Sequence, residues 1–251
     1  MTDHEFSIPE RFRGPPRSGN GGYVAGVLGR MLRGADSASE RAASTTLRAP
    51  VPLDRPLQAS READTLVVRD GERLIAEATW VDLELDIPEP ASWEEALAVR
   101  EHSAALRVGQ HRMLGGERIG FHPICFCCGA ELQADQGLRV HAAPVPGRAQ
   151  VAAAWVCEAS FADASGAVPE EIVSTALDCP GQFAWLAEGT LTGLLGRLSV
   201  RILHAPRAGE PCVVIGWTIG SEGRKYYAGT ALFDAQRRLC AYAKAVWIGR
   251  V

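Results

Sequence analysis

The spacing of hydrophobic and polar positions changes period several times along this chain. Over residues 24–32, Val24, Val27, Leu28, Met31 and Leu32 follow the i, i+3, i+4, i+7, i+8 stripe of a core-facing helix. Asn20 stands where an N-cap belongs, and Gly22, Ala25, Gly26 and Gly29 fall off the stripe. Those small residues leave a face that a second backbone can approach closely. Strand-like runs follow at 44–51, 57–64, 65–70 and 73–85, and "RDGE" between the last two is a hairpin signal.

The segment 87–107 reads as a linker and then a helix at about 92–107. Ser92 and Glu95 have capping-box spacing there. It divides the chain into a first unit, 1–110, and a second, 111–251. Beyond it, 137–145 and 149–157 predict a hairpin joined through "PGR". Residues 168–189 predict a helix with Pro169 at its first position, Glu170 and Glu171 at the positive end of its dipole, and Pro180 interrupting it. Strands are expected at 197–206, 212–221, 225–234 and 239–249.

Both units therefore run in the same order, one apolar helix and then antiparallel strands. "VVRDGERLIAEATWV" and "LFDAQRRLCAYAKAVWI" even share local wording, so the chain holds a degenerate repeat of ~120 residues. The expected class is α+β, with a curved antiparallel sheet wrapped around a long helix in each repeat.

Composition narrows the function. In 251 residues the net charge is −4, so no basic excess exists to neutralise phosphates and no nucleic-acid partner is expected. No run of ~18 apolar residues and no signal-like N-terminus is present, so a cytoplasmic protein without a membrane partner is expected. Of seven cysteines, Cys157, Cys179, Cys212 and Cys240 are scattered among apolar neighbours and read as buried free thiols. Cys125 and Cys128 have the C-x-x-C spacing of half a zinc site or a redox pair, and the segment reads as a cysteine-rich turn entering a strand. His122 offers a third ligand, but a fourth is missing, so no metal and no other cofactor is expected.

Several motifs resemble the hotdog-fold acyl-CoA thioesterase superfamily in its double-hotdog form, which includes thioesterases of the phenylacetate-pathway type. "CFCCGAELQADQGLRV" looks like the family's Cys–x–x–Cys–Gly entry. "EEIVSTALD" sits where the family has a His-Gly-Gly helix start followed by an acid. "LSVRILHAPRAGEP" and "LCAYAKAVWI" look like its later strands, and "NGGYVAGVLGRML" is similar to the same glycine-led helix start. The resemblance implies that acyl-CoA binds between two hotdog units. N–H groups at one helix start then polarise the thioester carbonyl, and an acid from the other unit's helix supplies the base or nucleophile.

In the family the acid lies nine residues after the glycine motif. Nine residues after Asn20 comes Gly29, and nine before Asp178 comes Pro169. The first unit keeps donors without the acid, and the second keeps the acid without donors. One composite site is thereby implied, with Asp178, Gly21 and Gly22 catalytic and Thr175 and Gln182 assisting. Asn20, Tyr23 and Ser174 would contact the substrate, while Arg197, Arg201 and Arg224 could meet coenzyme A phosphates. The two repeats would form a pseudo-dimer within the chain, compatible with further homo-oligomers. A non-catalytic acyl-CoA or acyl-chain binding protein of the same fold is the alternative, since "PEE" has replaced the second glycine motif.

Overall fold

The computed structural model describes residues 4–34, 40–107 and 122–249. Eleven strands form one sheet: β1 (His4–Phe6), β2 (Ala42–Leu47), β3 (Leu57–Glu62), β4 (Thr65–Asp70), β5 (Arg73–Val81), β6 (Ala143–Pro144), β7 (Val151–Val156), β8 (Leu194–Ile202), β9 (Pro211–Glu222), β10 (Lys225–Phe233) and β11 (Leu239–Ile248). Their spatial order is β1-β3-β4-β5-β2-β8-β11-β10-β9-β7-β6. Every pairing is antiparallel.

That order is itself a repeat. Reading outward from the centre, β2-β5-β4-β3-β1 is matched by β8-β11-β10-β9-β7, and β6 is an added edge. The halves meet where β2 pairs β8, with Ala43 opposite Val200 and Ser44 opposite Ser199. Ser199 Oγ donates to Ser44 Oγ at 2.8 Å, satisfying two buried hydroxyls at that seam. The expected division at 110/111 lies outside the described residues.

Four helices complete the fold: α1 (Gly21–Arg33), α2 (Trp93–Val99), α3 (Glu170–Ala176) and α4 (Cys179–Ala187). The apolar stripe of α1 buries Val24, Val27, Leu28 and Leu32 in one core with Ile172, Val173, Ala176 and Leu177. Its off-stripe glycines do allow close approach: a Cβ on Gly26 would lie 2.3 Å from Glu171 Cα. Helix α1 thus crosses α3 with almost no side chain between them.

The helix expected over 168–189 is broken. Pro180 has no N–H to donate and its ring crowds the carbonyl four residues back, so the helical ladder cannot run through. Leu177 is the C-cap of α3, Asp178 has ψ −77°, and α4 begins at Cys179. Pro169 proves to be the N-cap rather than the first helical residue. In the 92–107 segment the Ser92–Glu95 capping box forms, but α2 ends at Val99 and gives way to short 3-10 turns.

Residues 83–99 and α2 cover the outer face of the second half-sheet. Leu83, Ala96 and Val99 pack there on Val213, Ile215, Trp217, Phe233 and Tyr242. Strand β9 is therefore buried on both faces, Cys212 and Val214 inward and Val213 and Ile215 outward, which explains its unbroken apolar run. Of the strand expected over 137–145 only β6 forms. Preceding it, His141 is buried, and neither ring nitrogen has a hydrogen-bond partner.

Burial, reinforced by Arg100 and Arg139, pushes the His141 pKa down from 6.5 to about 4. The folded state thus binds this proton less readily than the unfolded chain. Stability is complete above about pH 6.5 and falls as pH drops toward 4, by up to about 3 kcal/mol. Denaturant unfolding at a series of pH values should show a shallower acid slope for His141→Leu than for the parent. Parallel slopes would refute the assignment.

Candidate active site

Asn20 and Pro169 are both N-caps, nine residues before Gly29 and Asp178 respectively. The two helix starts are thus structural counterparts, yet they carry opposite chemistry. Asn20 Oδ1 accepts the Tyr23 N–H at 2.9 Å, capping α1. Pro169 makes no side-chain cap.

Asp178 sits at the α3–α4 break and reaches across to α1. The Gly22 N–H donates to Asp178 Oδ2 at 2.9 Å, and the other carboxylate oxygen, Oδ1, is buried without a partner. Burial is the largest influence on the group and raises its pKa; the Gly22 N–H lowers it, Cys125 raises it and the Asn20 amide lowers it. The balance stands at about 7. An acid at the seam of two repeats, poised near neutrality, is suited to proton transfer.

Asp178, Asn20 and Gly21 line a cavity of about 510 Å³. Its walls come from residues 14–21, the turn 47–51 after β2, the start of β8, and Trp247 and Ile248 of β11. Leu47, Val51, Leu195, Trp247 and Ile248 make much of it apolar, while Arg17, Arg48 and Arg224 also line it. Arg48 pairs with Glu77 at 2.6 Å, and Arg224 donates to the Gly249 carbonyl. Arg197 instead donates to Thr46 Oγ1, and neither it nor Arg201 lines the cavity.

Of the other expected residues, Gly22, Tyr23, Ser174, Thr175 and Gln182 do not line this cavity. Gly22 was expected to offer its N–H to an oxyanion, but that N–H already holds the Asp178 carboxylate. Gly21, the first helical residue, has no intrahelical acceptor for its N–H and lines the cavity. Thr175 Oγ1 donates to the Glu171 carbonyl at 2.6 Å, and Gln182 Nε2 to the Gly193 carbonyl at 3.1 Å. Both side chains are thus engaged by backbone carbonyls, although the Asp178 N–H still bonds the Thr175 carbonyl at 3.1 Å. Ser174 is buried with its carbonyl facing Gly22. The Tyr23 ring stacks on Phe12 at 3.8 Å in the core, and burial lifts its hydroxyl to about 12.

The counterpart site, at the start of α3, is filled. Arg33 Nε meets Glu170 Oε1 at 2.9 Å and Arg33 Nη2 meets Glu170 Oε2 at 3.1 Å, while Arg30 approaches Glu171 at 3.6 Å. Two carboxylates and two guanidiniums occupy the place that donors and an acid hold around Asp178.

One group escaped the sequence reading. Cys179 Sγ lies 3.9 Å from Cys125 Sγ, and with Cys128 these sulfurs fall within 4.8 Å of one another. No local spacing signals this, because the partners are 54 residues apart. His122, the ligand considered instead, has its Nδ1 3.5 Å from the Ile124 N–H.

No family model matches the chain, and no curated protein matches it by sequence. Solved structures do. A provisionally assigned thioesterase II from Thermobifida fusca is similar over 99% of this chain and 94% of its own, with TM-score 0.63 at 15% identity. The pyran synthase domain from module nine of the sorangicin pathway gives TM-score 0.62 at 14% identity, covering 99% and 93%. A conserved protein of unknown function with a hot dog fold, from Alicyclobacillus acidocaldarius, covers 99% and 93% at TM-score 0.54 and 9% identity. Among the described residues no helix is long and apolar enough to cross a membrane. Taken with the repeated strand order, these matches identify the fold: the chain is an α+β hotdog protein in which two repeats share one sheet.

Proposed function

We propose that this chain hydrolyses acyl-CoA thioesters at one composite site between its repeats. The observation that carries the reading is the 2.9 Å hydrogen bond from Gly22 N–H to Asp178, at the wall of a cavity large enough for an acyl group and its thioester. It brings the acid of one repeat against the glycine-led helix start of the other. Asp178 takes a proton from water as the water oxygen attacks the carbonyl carbon, or attacks that carbon itself to form a mixed anhydride that water hydrolyses once the thiolate has left. The oxyanion faces the Gly21 N–H and the positive end of α1. Collapse of the tetrahedral species breaks the carbon–sulfur bond, and the thiolate leaves and takes up a proton. Asn20 steadies the helix start by accepting the Tyr23 N–H. The arginines along the cavity suit the phosphates of coenzyme A. The thioesterase name attached to one fold neighbour agrees with this chemistry, although the pyran synthase neighbour shares the fold equally well.

The test is turnover of a panel of short, medium, long and aromatic acyl-CoA thioesters. It should be followed by loss of thioester absorbance, because seven cysteines would interfere with thiol reagents. Hydrolysis of at least one member is expected. Saturable acyl-CoA binding with no hydrolysis anywhere in the panel would overturn the enzyme reading in favour of a binding protein. The ion-paired helix start at Glu170 motivates that second reading, since it is a site of this fold already emptied of catalytic groups.

A further inference from the structure

Outside the proposed chemistry, the described residues hold two clusters of metal-ligating side chains: Cys125, Cys128 and Cys179, and His204, Asp234 and Cys240. The second is already satisfied. Asp234 accepts from Arg238 Nε at 2.8 Å, from the Arg238 N–H and from the Gln236 N–H, and Arg238 Nη2 lies 2.7 Å away. A carboxylate so occupied has little left for an ion. The first cluster has no charged competitor of that kind; Cys125 and Cys128 are fully enclosed, and Cys179 lines the cavity beside Asp178.

We propose that Cys125, Cys128 and Cys179 hold a zinc ion that ties the 122–129 turn to the start of α4, immediately after Asp178. Three observations carry this. The first is sulfur geometry. Four donors at a Zn–S distance of about 2.3 Å stand roughly 3.8 Å apart at the corners of a tetrahedron. Cys125 and Cys179 are 3.9 Å apart, far beyond the about 2.05 Å of a disulfide, and all seven cysteines are free.

The second is the turn itself. The Gly129 N–H donates to the Cys125 carbonyl at 2.7 Å, and a Cβ on Gly129 would come within 2.6 Å of the carbonyl oxygens of Cys125 and Pro123. Only glycine closes this C-x-x-C-G loop. Asn20 Nδ2 donates to the Cys125 sulfur at 3.7 Å. Such a donor spreads the charge of a metal-bound thiolate.

The third is rigidity. The Phe126 N–H donates to the Arg13 carbonyl at 2.8 Å, the Leu138 N–H to Phe126 and the Val140 N–H to Cys127. Phe126 also packs edge-on to Phe12 and Phe161. The tripod is preformed, and among the described residues no other ligand atom joins the tight group. Cys179 directly follows Asp178 in the chain and lines the same cavity, so the ion positions the acid.

The test is metal content of the full-length, reduced protein after exposure to zinc alone, with cobalt(II) as a spectroscopic substitute. One equivalent of zinc per chain is expected, and cobalt(II) should give a sulfur-to-metal charge-transfer band with tetrahedral d–d bands. Cys125→Ser and Cys179→Ser should weaken binding by at least the roughly 100-fold that even an outer partner costs. Cys240→Ser, which removes the sulfur of the other cluster, should leave stoichiometry and spectrum unchanged. Should a variant fail to fold, the parent carries the test: zinc should raise its melting temperature and chelation should reverse the rise. Reduced parent protein that takes up no zinc and shows no thiolate band would overturn the proposal, as would loss of binding in Cys240→Ser alone. Each readout is independent of thioester hydrolysis.

Discussion

Replacing Asp178 by asparagine should lower thioester hydrolysis by about 10²- to 10⁴-fold, the range a positioned acid–base group supplies. The substitution is isosteric, and its amide oxygen can still accept the Gly22 N–H that Oδ2 accepts at 2.9 Å. Substrate affinity should therefore change little, and the loss should fall on kcat. Folding should not suffer. Burial disfavours the ionised carboxylate, so a neutral amide of the same shape relieves a desolvation cost. An unchanged or raised melting temperature with near-zero turnover is the expected pair of results. Unchanged kcat would remove Asp178 from the chemistry and leave the seam of the two repeats without its acid.

A large loss of stability should come from Gly26→Ala. The added carbon would lie 2.3 Å from Glu171 Cα and 2.9 Å from both the Glu170 carbonyl oxygen and the Glu171 nitrogen. These are backbone atoms of α3 and cannot turn aside, so the two helices must part. A cost of about 3 kcal/mol is expected, or roughly 6–12 °C in the unfolding midpoint for a chain of this size. Gly29→Ala, one turn along α1, is the control. Its carbon would meet only Ala43 Cβ at 3.3 Å, and alanine favours the helix over glycine by up to about 1 kcal/mol. Gly29→Ala should thus be near neutral. Equal melting temperatures for the two variants would show that α1 and α3 are not packed as described. Parting the helices also draws Gly22 away from Asp178, so Gly26→Ala should lose activity beyond its loss of stability.

Much of the architecture was legible because the sequence changes period where the structure changes element. The stripe of Val24, Val27, Leu28 and Leu32 found α1, "RDGE" found the β4–β5 turn with Gly71 at φ +59°, and the cap at Ser92 formed as spaced. The nine-residue count from Asn20 and Pro169 paired two helix starts that proved to be true counterparts. Interactions between distant segments were not legible. A Pro at 180 signals an interruption, but not that the break would fall at Asp178 and turn its carboxylate toward Gly22. Nor does helical spacing show that Thr175 and Gln182 would spend their side chains on the Glu171 and Gly193 carbonyls. Cys179 read as a lone core thiol because proximity to Cys125 exists only once β7, α3 and the 122–129 turn are in place. The double burial of β9 depends on where residues 83–99 lie down, which no pattern within β9 specifies.

The ion-paired start of α3 has a consequence for symmetry. In an assembly of two identical subunits, one codon serves both copies of a site, so a glycine exchanged for glutamate in one is exchanged in both. Carrying both repeats in one polypeptide removes that constraint. Arg33 and Glu170 could then become a clamp holding α1 to α3 while Asn20, Gly22 and Asp178 stayed together at the opposite end of the same helix crossing. Covalent linkage thereby lets one half-site specialise in cohesion and the other in chemistry, a division of labour closed to a true homodimer.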